Sequence, residues 1–334
     1  MQKPLIEEAA LFPIGTVSEQ TGVNSVTLRA WERRYQLLEP YRTPKGHRLY
    51  SQQDVDRVKQ IVGLLKQGIA ASQVREALDN NMSATPSVSL LASKSGDTPW
   101  AAFRELFRRC VQKLDIHSLD AAFNEAIFLY PLELVAEHLI FPVYLQTLKQ
   151  AELLPSTTVD FTFLHEFLCA KLGLRYLQHN VHATNKHLLL ANTSGANEQV
   201  TALLLANLFN IHGYKVNVLG DIAINHLPMA LGRIQADAIV LIHHENTETL
   251  PVLARLAGIP LFVYGMAGNT VSADSNSDDA PIHWLPENLG EAFVLFENTL
   301  HEAGEAQEKS NAVASEELLV SDAMTPRVTM FRGR

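Results

Sequence analysis

The apolar rhythm of this 334-residue chain changes near Asn185, and that change constrains its fold more than any other feature. From Trp100 to about Asn180 the apolar residues recur at helical spacing: Phe103, Leu106, Phe107, Val111 and Leu114, then Leu119, Phe123 and Ile127. Pro131 suits the first turn of a further helix. Leu134, Leu139, Val143 and Leu148 continue that helix, with a kink expected at Pro142. Another helix is expected from about Asp160 to Leu177, giving a bundle of about four helices. After Asn185, short apolar runs appear at Leu188–Ala191, Val216–Leu219, Ala238–Ile242 and Leu261–Tyr264, with a weaker one at His283–Leu285. Between them lie helical stretches at Glu198–Ile211, Ile224–Ile234, Thr247–Ala257 and Leu289–Leu300. Alternating strand and helix predicts a parallel sheet covered on both faces, here a five-stranded doubly wound, flavodoxin-like domain.

The remaining breaks are compositional. Asn80 to Thr98 (NNMSATPSVSLLASKSGDT) is rich in small polar residues and reads as a linker. The tail from Ala303 to Arg334 is polar and nearly aperiodic, as expected of disorder. The expected organisation is therefore an N-terminal unit at 1–80, a linker at 81–98, a helical bundle at 99–182, an α/β domain at 185–302 and a tail at 303–334.

Net charge is −9, but the average hides a local reversal. From Arg29 to Lys66 there are nine Lys or Arg against four Asp or Glu, while the tail concentrates acids at Glu302, Glu305, Glu308, Glu316 and Glu317. A basic stripe on an acidic chain suits nucleic acid while limiting non-specific adhesion. The two cysteines, Cys110 and Cys169, exclude a disulfide framework and read as buried thiols of a reducing compartment. MQKPLIEEAALFP carries acids where a signal peptide needs bases, and no apolar run approaches the ~18 residues of a membrane span. A cytoplasmic protein without a membrane partner is expected.

Ile14 to Val23 (IGTVSEQTGV) predicts a short amphipathic helix with Ile14 and Val17 inward and Gly22 in the turn. Asn24 is placed to cap a second helix, Ser25 to Tyr35. On it Leu28, Trp31 and Tyr35 share an apolar face, leaving Thr27, Arg29, Ala30, Arg33 and Arg34 outward. A short helix with a small and basic outer face fits a major groove. The segment Arg42-Thr-Pro-Lys-Gly-His-Arg-Leu-Tyr50 follows, where Pro44 and Gly46 make a turn ringed by Arg42, Lys45, His47 and Arg48. Such a basic loop suits phosphates and the minor groove. Arginines on a helix are more often a solvated face; the turn before and the basic hairpin after favour a winged helix-turn-helix.

The run from Ile14 to Val58 resembles the MerR family of transcription regulators, on Thr27-Leu28-Arg29, Trp31-Glu32-Arg33, Gly46-His47-Arg48, Tyr50 and Asp54-Val55. The resemblance covers residues 11–78. It implies a second helix in the major groove, a wing on the backbone, and dimers that distort a pseudo-palindromic promoter read by RNA polymerase. It also implies DNA contacts at Thr27, Arg29, Arg33, Arg42, Lys45, His47, Arg48 and Tyr50, with Leu28 and Trp31 as core. The long coiled coil and cysteine-bearing loop of the family's metal sensors are absent.

The order of bundle and doubly wound domain resembles the cobalamin-dependent light-sensing branch of that family. The branch implies a cobalt-ligating histidine in the loop after the first strand, here Thr193 to Gln199, where the matching position falls on Asn197 or Glu198. It also implies a Trp and a Glu-His pair above the cofactor. Residues 155–177 contain no Trp and offer His165, Glu166 and Phe167 instead. Imidazole is a strong ligand for a transition metal; an amide or a phenyl ring is not. The chain therefore looks more like the enterobacterial curli and biofilm regulators of this branch, which imply a regulatory protein or another small molecule as the signal. No cofactor is expected and cobalamin is disfavoured. His165 and His243 are the residues that could rescue ligation. His243-His244-Glu245 at the third strand's end, and Gly265 and Gly268 after the fourth, complete the candidate ligand-binding set. His165-Glu166 lacks the second helical histidine of a zinc protease, Cys169 standing in its place, and no nucleophile–base pair supports an enzyme such as a methyltransferase-associated carrier. A cobalamin photoreceptor with an unexpected ligand remains the rival expectation.

Overall fold

The structure, a computed structural model, describes residues 11–81, 99–244, 249–265 and 282–302. The expected linker, the tail and Gly268 lie almost wholly outside these residues.

The N-terminal unit is built on two short helices. Helix α1 (Ile14–Thr21) stops at Gly22, whose φ of 69° is left-handed, and Asn24 then caps α2 (Ser25–Tyr35) by accepting the Val26 N–H. Strands β2 (Tyr41–Arg42) and β3 (Arg48–Tyr50) form a hairpin, and β1 (Phe12–Pro13) adds to the other edge of β3. Helix α3 (Gln52–Lys66) begins with a capping box in which Ser51 and Asp54 satisfy each other's backbone, and α4 (Val74–Asn81) follows. Val17, Leu28, Trp31, Tyr50, Val55, Val58 and Ile61 are fully enclosed and form the core of this unit.

The middle unit contains α5 (Pro99–Gln112), α6 (Ile116–Leu129), a long irregular helix and α9 (Thr158–Asn180). The irregular helix runs as α7 (Leu132–Val135), a π turn (Ala136–Ile140) and α8 (Phe141–Leu153). The distortion expected at Pro142 is thus a π turn just before it. Proline lacks the N–H that would bond back to His138, and Arg104 Nη1 donates to that freed carbonyl at 2.9 Å.

The third unit is a parallel sheet of β4 (His187–Asn192), β5 (Lys215–Asp221), β6 (Ala238–Ile242), β7 (Leu261–Tyr264) and β8 (Ile282–Leu285). The spatial order is β5-β4-β6-β7-β8, the flavodoxin-like doubly wound order. Helix α10 (Gln199–Ile211) is buried around nearly its whole circumference, because it lies between the sheet and α9. Helices α11 (Leu227–Leu231) and α12 (Thr249–Ala257) cover the opposite face around a smaller core of Leu227, Ile239, Leu241, Leu253 and Val263. A last helix, α13, spans 289–302. The larger core runs without a break from Val17 through Phe123 and Leu172 to Phe296, so the three units pack as one body.

Candidate nucleic-acid interface

The exposed half of α2 carries Arg29 and Arg33, one helical turn apart. Glu32, partly buried between them and the hairpin, fixes the wing. Its Oε1 accepts from Arg42 Nη2 at 2.6 Å and its Oε2 accepts from Arg48 Nε. Burial alone would raise the Glu32 carboxyl, but the hydrogen bonds and charges of Arg48 and Arg42 outweigh it, and the carboxyl sits below its ordinary value. The same bond to Glu32 raises the Arg48 guanidinium. The wing turn closes through Thr43: its backbone N–H donates to the His47 carbonyl, its carbonyl accepts from Gly46, and its hydroxyl accepts the His47 N–H. Gly46 takes φ +83° there, a conformation that favours glycine. Lys45 and His47 stand exposed at the tip. Helix α2 thus offers Arg29 and Arg33 and the wing offers Lys45 and His47, with Arg42 and Arg48 held together by one carboxylate.

Two residues expected at that surface lie elsewhere. Tyr50 is fully enclosed beneath the hairpin, its hydroxyl without a hydrogen-bond partner, and burial pushes the phenol up to about 12. It supports the wing from inside because its side of β3 faces α3. Thr27 is also fully enclosed: its hydroxyl donates to the Ile127 carbonyl at 3.1 Å, at the end of α6. Trp31 is core, as expected, yet its indole N–H reaches out of the unit to the Leu129 carbonyl at 2.9 Å. Glu32 as organiser was legible only as part of the Trp-Glu-Arg run. The α6 contacts have no sequence signal, since both acceptors are backbone carbonyls.

At the carboxyl edge of the parallel sheet the polar residues bond to one another. Tyr144 of α8 carries its hydroxyl to both sides of the gap between bundle and sheet. It lies 2.7 Å from His165 Nδ1 and donates to the Asn197 carbonyl at 3.0 Å. The other ring nitrogen of His165 is 3.5 Å from Cys169 Sγ. Cys169 is only partly buried, not enclosed as expected. His243 is buried, with Nδ1 2.8 Å from the Thr193 hydroxyl. Glu198 pairs with His244 at 3.2 Å, and the His244 ring also contacts the Gly265 carbonyl. Gly265, at φ +107°, admits this close approach: a Cβ there would fall 2.5 Å from the ring. Glu166 faces solvent, and Phe167 is buried edge-on against Phe123 at 5.9 Å.

A corrin between bundle and sheet needs an open gap and a free imidazole. In this structure Tyr144 spans the gap, and Nδ1 of His165, Nδ1 of His243 and Nε2 of His244 each meet a neighbouring group. The groove beside them is lined by Cys169, Tyr176, Gln199, Val218 and Gly220 and has no imidazole in its wall. No cluster of three or more metal-ligating side chains occurs among the described residues.

Residues 12–81 match the MerR HTH family regulatory proteins. The HTH-type transcriptional regulator MlrA of Salmonella typhimurium is 35% identical over 136 residues, 40% of this chain and 51% of that protein. MlrA of Escherichia coli is 34% identical over 134 residues, with the same shares. The HTH-type transcriptional repressor CarH of Myxococcus xanthus is 41% identical over 71 residues, 21% of this chain and 24% of its own. The chain spans about half the length of the MlrA relatives it matches. With its capped second helix and its basic hairpin, the N-terminal unit is similar over residues 12–81 to the MerR HTH family regulatory proteins.

Proposed function

We propose that this chain is a sequence-specific, double-stranded DNA-binding transcription regulator, dimeric on inverted half-sites, whose C-terminal units receive a signal without cobalamin. One observation carries the DNA reading: Glu32 holds the wing arginines Arg42 and Arg48 against a helix whose exposed face carries Arg29 and Arg33. Guanidinium groups at fixed spacing suit phosphates and guanine edges. That the relatives are transcriptional regulators supports the same reading. The Tyr144 bridge between His165 and the Asn197 carbonyl supports an input other than cobalamin, because it occupies the gap a corrin would need. The input is then a regulatory protein or another small molecule, and the output passes to RNA polymerase at the promoter. The rival reading, a cobalamin-dependent light-sensing repressor, requires that bridge to part.

The test is selection of the full-length chain on a pool of random duplexes. Enrichment of inverted half-sites separated by about one helical turn is the expected result. Recovery of an unenriched pool would end the sequence-specific reading.

A further inference from the structure

The N-terminal half of α2 is the part of a recognition helix that reaches base edges. In this chain one side of it is covered, while Val26 and Arg29 stay exposed. Thr27 is 0% and Ala30 2% exposed, enclosed where α2 lies against the end of α6. The contact is polar as well as apolar. The last carbonyls of a helix have no partner inside it, and two of those at the end of α6 are satisfied by the Thr27 hydroxyl on the Ile127 carbonyl and the Trp31 indole on the Leu129 carbonyl. The end of a helix also carries partial negative charge. In this geometry the end of α6 presents to α2 what DNA would present: acceptor oxygens in a negative field.

We infer that α6 and DNA compete for the same face of α2, so that the structure is a self-masked form of the regulator and DNA binding requires α2 to leave α6. This rests on the DNA-binding reading above. The steric argument is direct. The major groove is about 12 Å wide, and an α-helix with its side chains fills about 10–12 Å of it. Two packed helices lie about 8–10 Å apart. The end of α6 therefore stands where a groove wall would have to be. Arg29 and Arg33 remain exposed, so the masked form keeps its charge for encounter while Thr27 and Ala30 are withheld from the bases.

Further ties hold the mask in place, and each lies outside the DNA-facing residues. The His212 ring nitrogen Nδ1 lies 3.0 Å from the Glu19 carbonyl of α1, while its ring stacks on Phe293 at 3.7 Å. Asn24 Nδ2 lies 3.5 Å from His179 Nε2. Gly22 sits so close to Glu133 and His212 that a Cβ there would fall 3.1 Å from each. A partner or ligand that shifts the bundle against the sheet would act on all of these at once.

Two measurements on the full-length chain test this, using a duplex obtained by the selection described above. The first is hydrogen exchange of the unmodified chain with and without duplex. The last turn of α6 and residues 126–131 should lose protection severalfold when DNA is bound; equal or greater protection in the complex overturns the inference. The second is the double variant His179→Leu with His212→Leu, which removes two of these ties without touching the N-terminal unit. It should bind the duplex about fivefold more tightly, because each lost hydrogen bond held the masked form only modestly. Equal or weaker binding by a folded variant also overturns it. A chain that binds no duplex sinks the DNA-binding reading itself, whereas a chain that binds duplex with α6 still protected sinks only the mask.

Discussion

The wing and the sheet edge use a partly buried glutamate in opposite ways. In the wing, Glu32 pairs with two arginines, the partly buried Arg48 and the exposed Arg42, beside the exposed Arg29 and Arg33. At the sheet edge, Glu198 pairs with His244, Tyr144 joins His165 to the Asn197 carbonyl, and His243 joins Thr193. The first arrangement spends one negative charge to order several positive ones toward an outside partner. In the second, His165, Glu198, His243 and His244 each meet another group of the chain, while Glu166 and Asn197 face solvent. A polar cluster is evidence of a partner when its charge remains unbalanced toward solvent, and evidence of closure when its members satisfy one another.

The largest effect expected from breaking this contrast is at Trp31, which the wing unit needs for its core. Trp31→Ala should cost roughly 3–5 kcal/mol of stability and abolish duplex binding through unfolding. A melt with the wild-type midpoint would contradict this placement of the core.

Arg29→Ala and Arg48→Ala come next. Each should weaken duplex binding by about tenfold or more, the order of one guanidinium contact, with unchanged melting. If both bind like wild type in a titration, the basic surface described here is not the one used.

Glu32→Gln sharpens the comparison by separating positioning from charge. Removing a negative charge beside DNA would strengthen binding if net charge alone decided. Because Glu32 sets the spacing of Arg42 and Arg48, binding should instead fall by about fivefold. In the wild type the clamp should persist to low pH. The folded carboxyl is held below its ordinary value, so its contribution is full above that value and is lost only as pH falls through the depressed one. Tighter binding by Glu32→Gln would remove its organising role.

At the sheet edge the expected effect is an absence of binding. Apo-protein mixed in the dark with adenosylcobalamin or hydroxocobalamin and desalted should elute colourless. A red fraction with a shifted visible spectrum would show that the Tyr144 bridge opens, and His165→Ala and His243→Ala would then identify the ligand.

The smallest effect concerns pH at the junction of the units. Burial lowers His212 and His179 to about 4. A histidine depressed in the folded state costs stability as pH falls below its unfolded value near 6.5, until the folded value is reached. Glu133, raised to about 7 by burial, acts in the opposite direction as pH rises over an overlapping range. His212→Leu should therefore reduce the acid-side loss of melting temperature between about pH 6.5 and 4. An unchanged slope would mean that His212 titrates normally.

Much of this was legible in the sequence where local chemistry decides. Asn24, Gly22 and Gly46 announce a cap and two turns, and α2 runs from Ser25 to Tyr35 as its apolar spacing predicts. The strands Ala238–Ile242 and Leu261–Tyr264 lie where continuous apolar runs place buried parallel strands. What stayed hidden depends on residues distant in the chain. Thr27 is small and polar on an outward helical position, and only the fold brings Ile127 to it. Tyr50 is amphipathic, and its burial is set by α3 packing behind β3. Tyr144 sits at an ordinary helical position, and nothing in the spacing of α8 says that its hydroxyl will reach a loop in another unit.

The most direct test of the account is the salt dependence of duplex binding by the full-length chain. A basic surface built from Arg29, Arg33, Arg42, Lys45 and Arg48 on an acidic protein should release counterions on binding. The logarithm of affinity should then fall linearly with the logarithm of salt, with a slope of about −0.9 for each phosphate neutralised. Arg48→Ala should lower the magnitude of that slope by about one. A slope near zero, or one that Arg29→Ala and Arg48→Ala both leave unchanged, would contradict the claim that this surface binds DNA.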